Sequence, residues 1–182
     1  MTLHLAPDAL RVARHLAGLS QREVEQRTGV ARKSLIVAEG AETAATSRPT
    51  TLSRLRSFYE EQGLEFLGTI DLASGTTRGV GARWRMPANL PPSGSERAAV
   101  RAESNGLAFS AARALLDVKQ SDVSKLVSMP EHKVRGLETG SLHDGSAQGR
   151  LRAFYEAQGV EFLGWGDVSR GVFYGVGVRW KN

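Results

Sequence analysis

The chain has 182 residues, with 24 basic and 19 acidic side chains, a formal net charge of +5 and a pI near 10.0. It contains no cysteine, which excludes disulfides and thiolate metal sites, and no apolar run approaches the roughly 18 residues that span a bilayer. The N-terminus, MTLHLAPDAL, lacks a basic region followed by an apolar stretch, so a cytoplasmic protein is expected, and the mild basic excess favours polyanionic partners without naming one.

Asp8 to Ala17 places Leu10, Ala13, Leu16 and Ala17 at helical spacing, with Arg11 and Arg14 on the other side and Gly18 as a stop. Ser20 and Glu23 stand at the spacing of a capping box, so a second helix starts there and runs to Arg27 or Thr28. Gly29 supplies a tight turn, Val30 a buried plug, and Ala31 to Glu39 a third short helix with Leu35 and Ala38 inward. Thr50 or Thr51 is expected to cap a fourth helix that ends at Gln62. Its apolar stripe is Leu52, Leu55, Phe58 and Tyr59, and Gly63 stops it in a left-handed conformation. The period then changes: LEFLGTIDL, a turn rich in Gly, Ser and Thr, and GVGARWR read as the two strands of a hairpin.

The line RLRSFYEEQGLEFLG at 54–68 returns as RLRAFYEAQGVEFLG at 150–164, and the same register continues to Arg83-Trp84 and Arg179-Trp180. Upstream, after a three-residue shift, Ala13-Arg14, Leu16, Gln21, Val24 and Glu39 match Ala112-Arg113, Leu115, Gln120, Val123 and Glu138. The protein is a tandem duplication, with too few copies for a solenoid. Predicted domains are 1–85 and 106–182. Between them residues 86–105 form a linker whose first part holds Pro87, Pro91 and Pro92 with glycine and serine; a short helix from Glu96 to Glu103 is expected to follow. The second repeat predicts helices over Leu107–Leu116, Gln120–Val127, Pro130–Glu138 and Ser146–Gln158, a turn at Ser128-Met129, and a hairpin from Val160 to Trp180. The expected class is mainly α with β-hairpins, α+β, with four short helices and a C-terminal hairpin in each of two domains.

No Ser/His/Asp set or carboxylate pair suggests catalysis, so the protein is not expected to be an enzyme and no cofactor is implied. His4, His15, His132 and His143 lack metal-ligand spacing. The glycines of SGTTRGVG lack the Gly-Lys-Ser/Thr ending of a phosphate loop and read as a hairpin turn. Phe58, Tyr59, Phe66 and Trp84 and their copies Phe154, Tyr155, Phe162 and Trp180 have the spacing of core residues, not of a base-stacking platform.

The stretch LRVARHLAGLSQREVEQRTGVARKSLIVAEG resembles the lambda-repressor and Cro-like helix-turn-helix regulators, the Xre family. That family's pattern is Arg-Ala-x-x-Leu, Leu-Ser-Gln-x-x-Leu, Gly-Val-Ser-x-x-x-Ile and a terminal Glu-x-Gly, and Ala31 stands here where the family usually has a serine cap. The fourth helix and the tail through GVGARW resemble a bacterial subgroup of that family. The resemblance implies two tandem lambda-repressor-like domains and a sequence-specific regulator that binds double-stranded DNA. The third helix of each module would lie in the major groove and the start of the second against the backbone. It places Gln21, with Arg22 beside it, and Gln120 at phosphates. On the third helix it places Arg32 and Lys33 at guanines or phosphates, Ser34 at a phosphate, and Ile36 and Val37 at thymine methyls. On the corresponding surface of the second repeat stand Glu131, His132, Lys133, Arg135 and Gly136, which is different chemistry.

The expected function is a repressor with two unlike modules on a bipartite operator. The alternatives are an activator meeting RNA polymerase through Glu23 and Glu25, and an antitoxin or antiactivator in which the second repeat holds another protein. The two hairpins are expected to join in one sheet, making the monomer a pseudo-dimer; the alternative is that each packs on its own helices in a homodimer of four modules.

Overall fold

The computed structural model describes residues 5–40, 46–71 and 73–182. In the first repeat α1 (Pro7–Leu16), α2 (Gln21–Thr28), α3 (Arg32–Glu39) and α4 (Pro49–Glu61) precede a hairpin of β1 (Leu64–Ile70) and β2 (Thr77–Trp84). After α5 (Gly94–Ala99) and β3 (Ala102–Glu103), the second repeat runs α6 (Phe109–Leu116), α7 (Gln120–Leu126), α8 (Glu131–Thr139), α9 (Gly145–Ala157), β4 (Val160–Asp167) and β5 (Val172–Trp180). The chain is thus a mixed α+β protein, with nine helices and one five-stranded antiparallel sheet among the described residues.

Local chemistry sets most of these boundaries. The Ser20 hydroxyl accepts from the Glu23 amide, and the Glu23 carboxylate accepts from the Ser20 amide at 2.7 Å, so α2 starts with the expected capping box. Ala31 cannot cap α3; Glu25 does so instead, its Oε1 accepting from the Arg32 amide at 2.9 Å. The start of α4 differs from the sequence expectation. Pro49 takes its first position, where a missing N–H costs nothing, and neither Thr50 nor Thr51 caps it. In the second repeat Asp144, not Ser146, begins α9, accepting from the Ala147 amide at 3.0 Å.

The two repeats solve their turns differently. Gly18 and Gly29 hold φ of 66° and 69°, the left-handed region, and their counterparts Asp117 and Ser128 hold 54° and 48° without the freedom of glycine. Arg150 answers this at the second turn by donating to the carbonyls of Val127 and Ser128 at 2.7 and 2.9 Å.

The hairpins join in one sheet. β2 pairs with β5 antiparallel, Gly81 opposite Arg179, Ala82 opposite Val178 and Arg83 opposite Gly177. Because Gly177, Val178 and Arg179 are the copies of Gly81, Ala82 and Arg83, each pairing has its mirror in the other repeat. A pseudo-twofold axis therefore passes between Ala82 and Val178. The helices obey the same axis. His15 Nδ1 lies 2.7 Å from Ser110 Oγ, Arg11 Nε donates to the Ala114 carbonyl at 2.9 Å, and Ser110 and Ala114 are the copies of Arg11 and His15. Between these two contacts stand Ala13 and Ala112, both fully buried, whose small side chains let α1 and α6 approach closely. Gly81 and Gly177 are required for the same reason: a Cβ there would lie 2.1 Å from the Val178 carbonyl oxygen and 2.3 Å from that of Ala82.

The buried residues of both repeats form one continuous core, from Leu10, Val24, Leu35 and Tyr59 through Trp84 and Val178 to Phe109, Val134 and Tyr155. The aromatics thus lie where their spacing placed them. Arg11 does not. The sequence puts it on the polar side of α1, but it is 6% exposed. That side of the helix meets the other repeat, where the guanidinium reaches the carbonyls of Ala114 and Glu39 and the carboxylate of Asp8. The linker is also more ordered than its composition suggests. α5 starts earlier and ends sooner than expected, and Ala102 and Glu103 pair with Tyr174 and Phe173 of β5. β2 covers only residues 177–179 of that strand edge, so the backbone groups ahead of them are free to take β3.

Candidate nucleic-acid interface

In each repeat a polar cluster ties the two short helices after the first to the core. Glu39, at the end of α3, accepts from Arg14 Nε at 2.7 Å, Arg14 Nη2 at 2.9 Å and Gln21 Nε2 at 2.9 Å. Glu138, at the same place on α8, accepts from Arg113 Nε at 2.6 Å, Arg113 Nη2 at 3.1 Å and Gln120 Nε2 at 2.7 Å. Both carboxylates are buried, and the paired fork is the strong form of such a contact. Burial works against the charge of Arg113, but the hydrogen bond and charge of Glu138 hold its pKa above the ordinary value. The hydroxyls of Tyr59 and Tyr155 lie buried beside these clusters without a hydrogen-bond partner among the described residues, and burial first, then the nearby glutamate, raises their pKa. Gln21 and Gln120, which the resemblance sends to phosphates, each give one side-chain N–H to this inner network, are half-buried, and keep the second N–H.

With its inner edge fixed by Leu35, Ala38 and Glu39, α3 turns Arg32 and Lys33 fully outward, together with Ile36, which is 52% exposed. Ser34 and Val37 are half-buried at the margins of that face, and Arg22 is exposed at the start of α2. No ion pair joins Arg22, Arg32 or Lys33 to an acidic side chain among the described residues. Glu23 and Glu25, by contrast, are both engaged at helix starts. Among the described residues the first repeat therefore presents an edge of basic side chains outside any ion pair, with the Glu25 carboxylate at the start of α3 and one large apolar side chain in it.

The matching face of α8 is neutralised from within. Arg135 lies 3.7 Å from Glu131 one turn away, and Lys133 Nζ lies 3.3 Å from Asp144. The Ala147 amide, and after it Lys133, hold the Asp144 carboxyl below its usual range. Glu131, His132 and Arg135 are exposed and Lys133 is half-buried. Gly136 is not on the open face: Leu142 packs over it, and a Cβ there would lie 2.9 Å from the Leu142 Cβ. Leu126, at the end of α7, is 66% exposed.

The sequence reading missed the role of Glu39 and Glu138, although the signal was present: two repeats that differ at their outer faces keep the same Arg, Gln and Glu. It also missed the inter-repeat contacts of Arg11 and His15, which depend on which surfaces meet. Comparison with protein-family models, with curated proteins and with solved structures finds no match to the chain.

Proposed function

We propose that the chain is a double-stranded DNA-binding transcription regulator, a repressor in which two fused lambda-repressor-like helix-turn-helix modules act as a pseudo-dimer on one bipartite operator. The observation that carries this reading is the isologous pairing about Ala82 and Val178. It relates α2–α3 to α7–α8 by a twofold, which is how paired helices address two half-sites about one turn of DNA apart. The free basic edge of Arg22, Arg32 and Lys33 supports contact with a polyanion. The neutralised face of α8 supports a weaker, differently read second half-site, with Glu131 suited to a cytosine amino group and His132, Lys133 and Arg135 to acceptors.

Selection of bound duplexes from a random pool, followed by footprinting, tests this. The expected site is two unlike halves, with the stronger protection over the half that Arg32→Ala and Lys33→Ala weaken. Each of those changes should cost about 1–3 kcal/mol if the residue reads a base, and a uniform loss with a shallower salt dependence if it meets phosphate. Unchanged affinity when Gln21, Arg32 and Lys33 are all replaced by alanine would overturn the assignment. A second reading, in which the second repeat holds a protein, is favoured by exposed Leu126 beside the self-paired charges of α8; protection of a single half-site would support it.

A further inference from the structure

A cleft of about 710 Å³ opens on the second repeat between the segment entering α6, the α8–α9 loop, α9 and β4. That volume lies within the range of about 300–1,000 Å³ typical of small-molecule sites. Leu107, Leu142, Phe162 and Phe173 supply apolar walls, and Gln148 and Arg152 supply polar groups. Among the described residues no acidic side chain lines it; Arg152 carries a fixed charge, and Ser104, Asn105 and His143 also border it.

Small residues make the space. Gly145 and Gly149 border the cleft with nothing within 4 Å of an added Cβ. Gly166 stands where the first repeat has Ile70, and Phe173 where it has Thr77. The Phe173 ring fits only because of its neighbours: a Cβ at Gly106 would lie 2.7 Å from it and one at Gly166 3.2 Å. At the matching place in the first repeat the described residues enclose about 150 Å³, lined in part by Ile70 and by Leu5, Ala6 and Ala9. Where the first repeat has Ile70 and Thr77, the second thus has a glycine and an aromatic wall.

We propose that this cleft binds a small aromatic carboxylate, its ring against Phe162 and Phe173 and its carboxylate on Arg152. Among the described residues Arg152 donates through Nε alone, to Glu156 at 2.8 Å in an exposed pair of little strength. Both Nη nitrogens remain for the parallel two-bond contact that guanidinium makes with carboxylate. Occupancy would be felt at α8. The loop beside the cleft carries Asp144, which caps α9 and holds Lys133, and Leu142, which covers Gly136. Its consequence for DNA rests on the reading above; the binding itself does not.

The test is a titration of the ¹⁵N-labelled full chain with phenylacetate, with benzyl alcohol as an uncharged ring and acetate as a charge without a ring. Phenylacetate should give saturable shifts at the amides of Gly140, Gly145, Gly149, Gly164 and Gly166 with a Kd of about 1 mM or tighter. Each control should bind about tenfold or more weakly than that. Gly149→Trp fills the open space from an exposed helix position and should weaken phenylacetate about tenfold or more, while Arg152→Gln should bring it to the level of benzyl alcohol. No saturation by about 20 mM, undiminished binding in Gly149→Trp, or benzyl alcohol binding as tightly as phenylacetate would each overturn the proposal. Because no DNA is present, failure of the chain to bind DNA leaves this result intact.

Discussion

Replacing Glu39 by alanine isolates the contribution of the inner polar cluster. The Glu39 side chain is 6% exposed and that of Arg14 14% exposed, and the carboxylate accepts three hydrogen bonds, two from Arg14 and one from Gln21. Without it the guanidinium keeps, among the described residues, only a 3.3 Å contact to the Leu19 carbonyl and stays largely out of water. Stranding one partner of a buried pair costs about 3–5 kcal/mol. With a urea m-value of roughly 2–3 kcal/mol/M, the midpoint should fall by about 1–2.5 M. The joint change Arg14→Met, Gln21→Leu and Glu39→Leu removes the charges without stranding either, so it should lie within about 2 kcal/mol of the original protein. Glu138→Ala should repeat the loss in the second repeat. Since the repeats share one core, urea curves followed by circular dichroism and by tryptophan fluorescence should coincide in a single transition. A loss below about 1 kcal/mol for Glu39→Ala, or a joint variant less stable than the single one, would refute the reasoning.

Ser128→Gly should stabilise the protein by up to about 1 kcal/mol, since glycine adopts the φ of 48° without strain; the same denaturation measurement reads it, and a loss of stability would contradict the strained-turn account. Burial, followed by Arg14, Arg113 and Arg11, lowers the pKa of His15 to about 3. Below pH 6.5 the unfolded chain therefore binds a proton that the folded chain refuses, and stability falls with pH. For a partly exposed group the expected loss is about 1–2 kcal/mol between pH 7 and 5, above the range where the lowered carboxylates titrate, and His15→Gln should flatten it. Gly81→Ala should cost roughly 3 kcal/mol or more, because its Cβ meets the backbone of the paired strand, whereas Gly94→Ala meets open space and should change the melting temperature little.

The predicted elements survive where a residue acts on its own chain neighbours. Ser20 with Glu23, Gly29 and Gly63 place helix ends through hydrogen bonds and dihedrals that need no distant partner. The start of α4 was missed because Pro49 and threonine propose competing starts within two residues. The outward positions of Arg32, Lys33 and Ile36 were legible because Leu35 and Ala38 fix the inward side of α3 by period alone, whereas Val37, expected to face out, is half-buried. The pairing of Lys133 was not, since its partner Asp144 lies in a loop whose path no period describes.

The duplication was written in the sequence, as were the class of the fold, the elements of each repeat and the outward placement of Arg32, Lys33 and Ile36 on α3. Only the tertiary structure decided that the repeats share one sheet and one core, because strand pairing depends on which edges meet and at what register. It also decided the fate of Arg11: the polar side of an amphipathic helix faces water only if no second surface covers it, and here the second repeat does, supplying the Ala114 carbonyl to a guanidinium whose position in the chain had marked it as exposed.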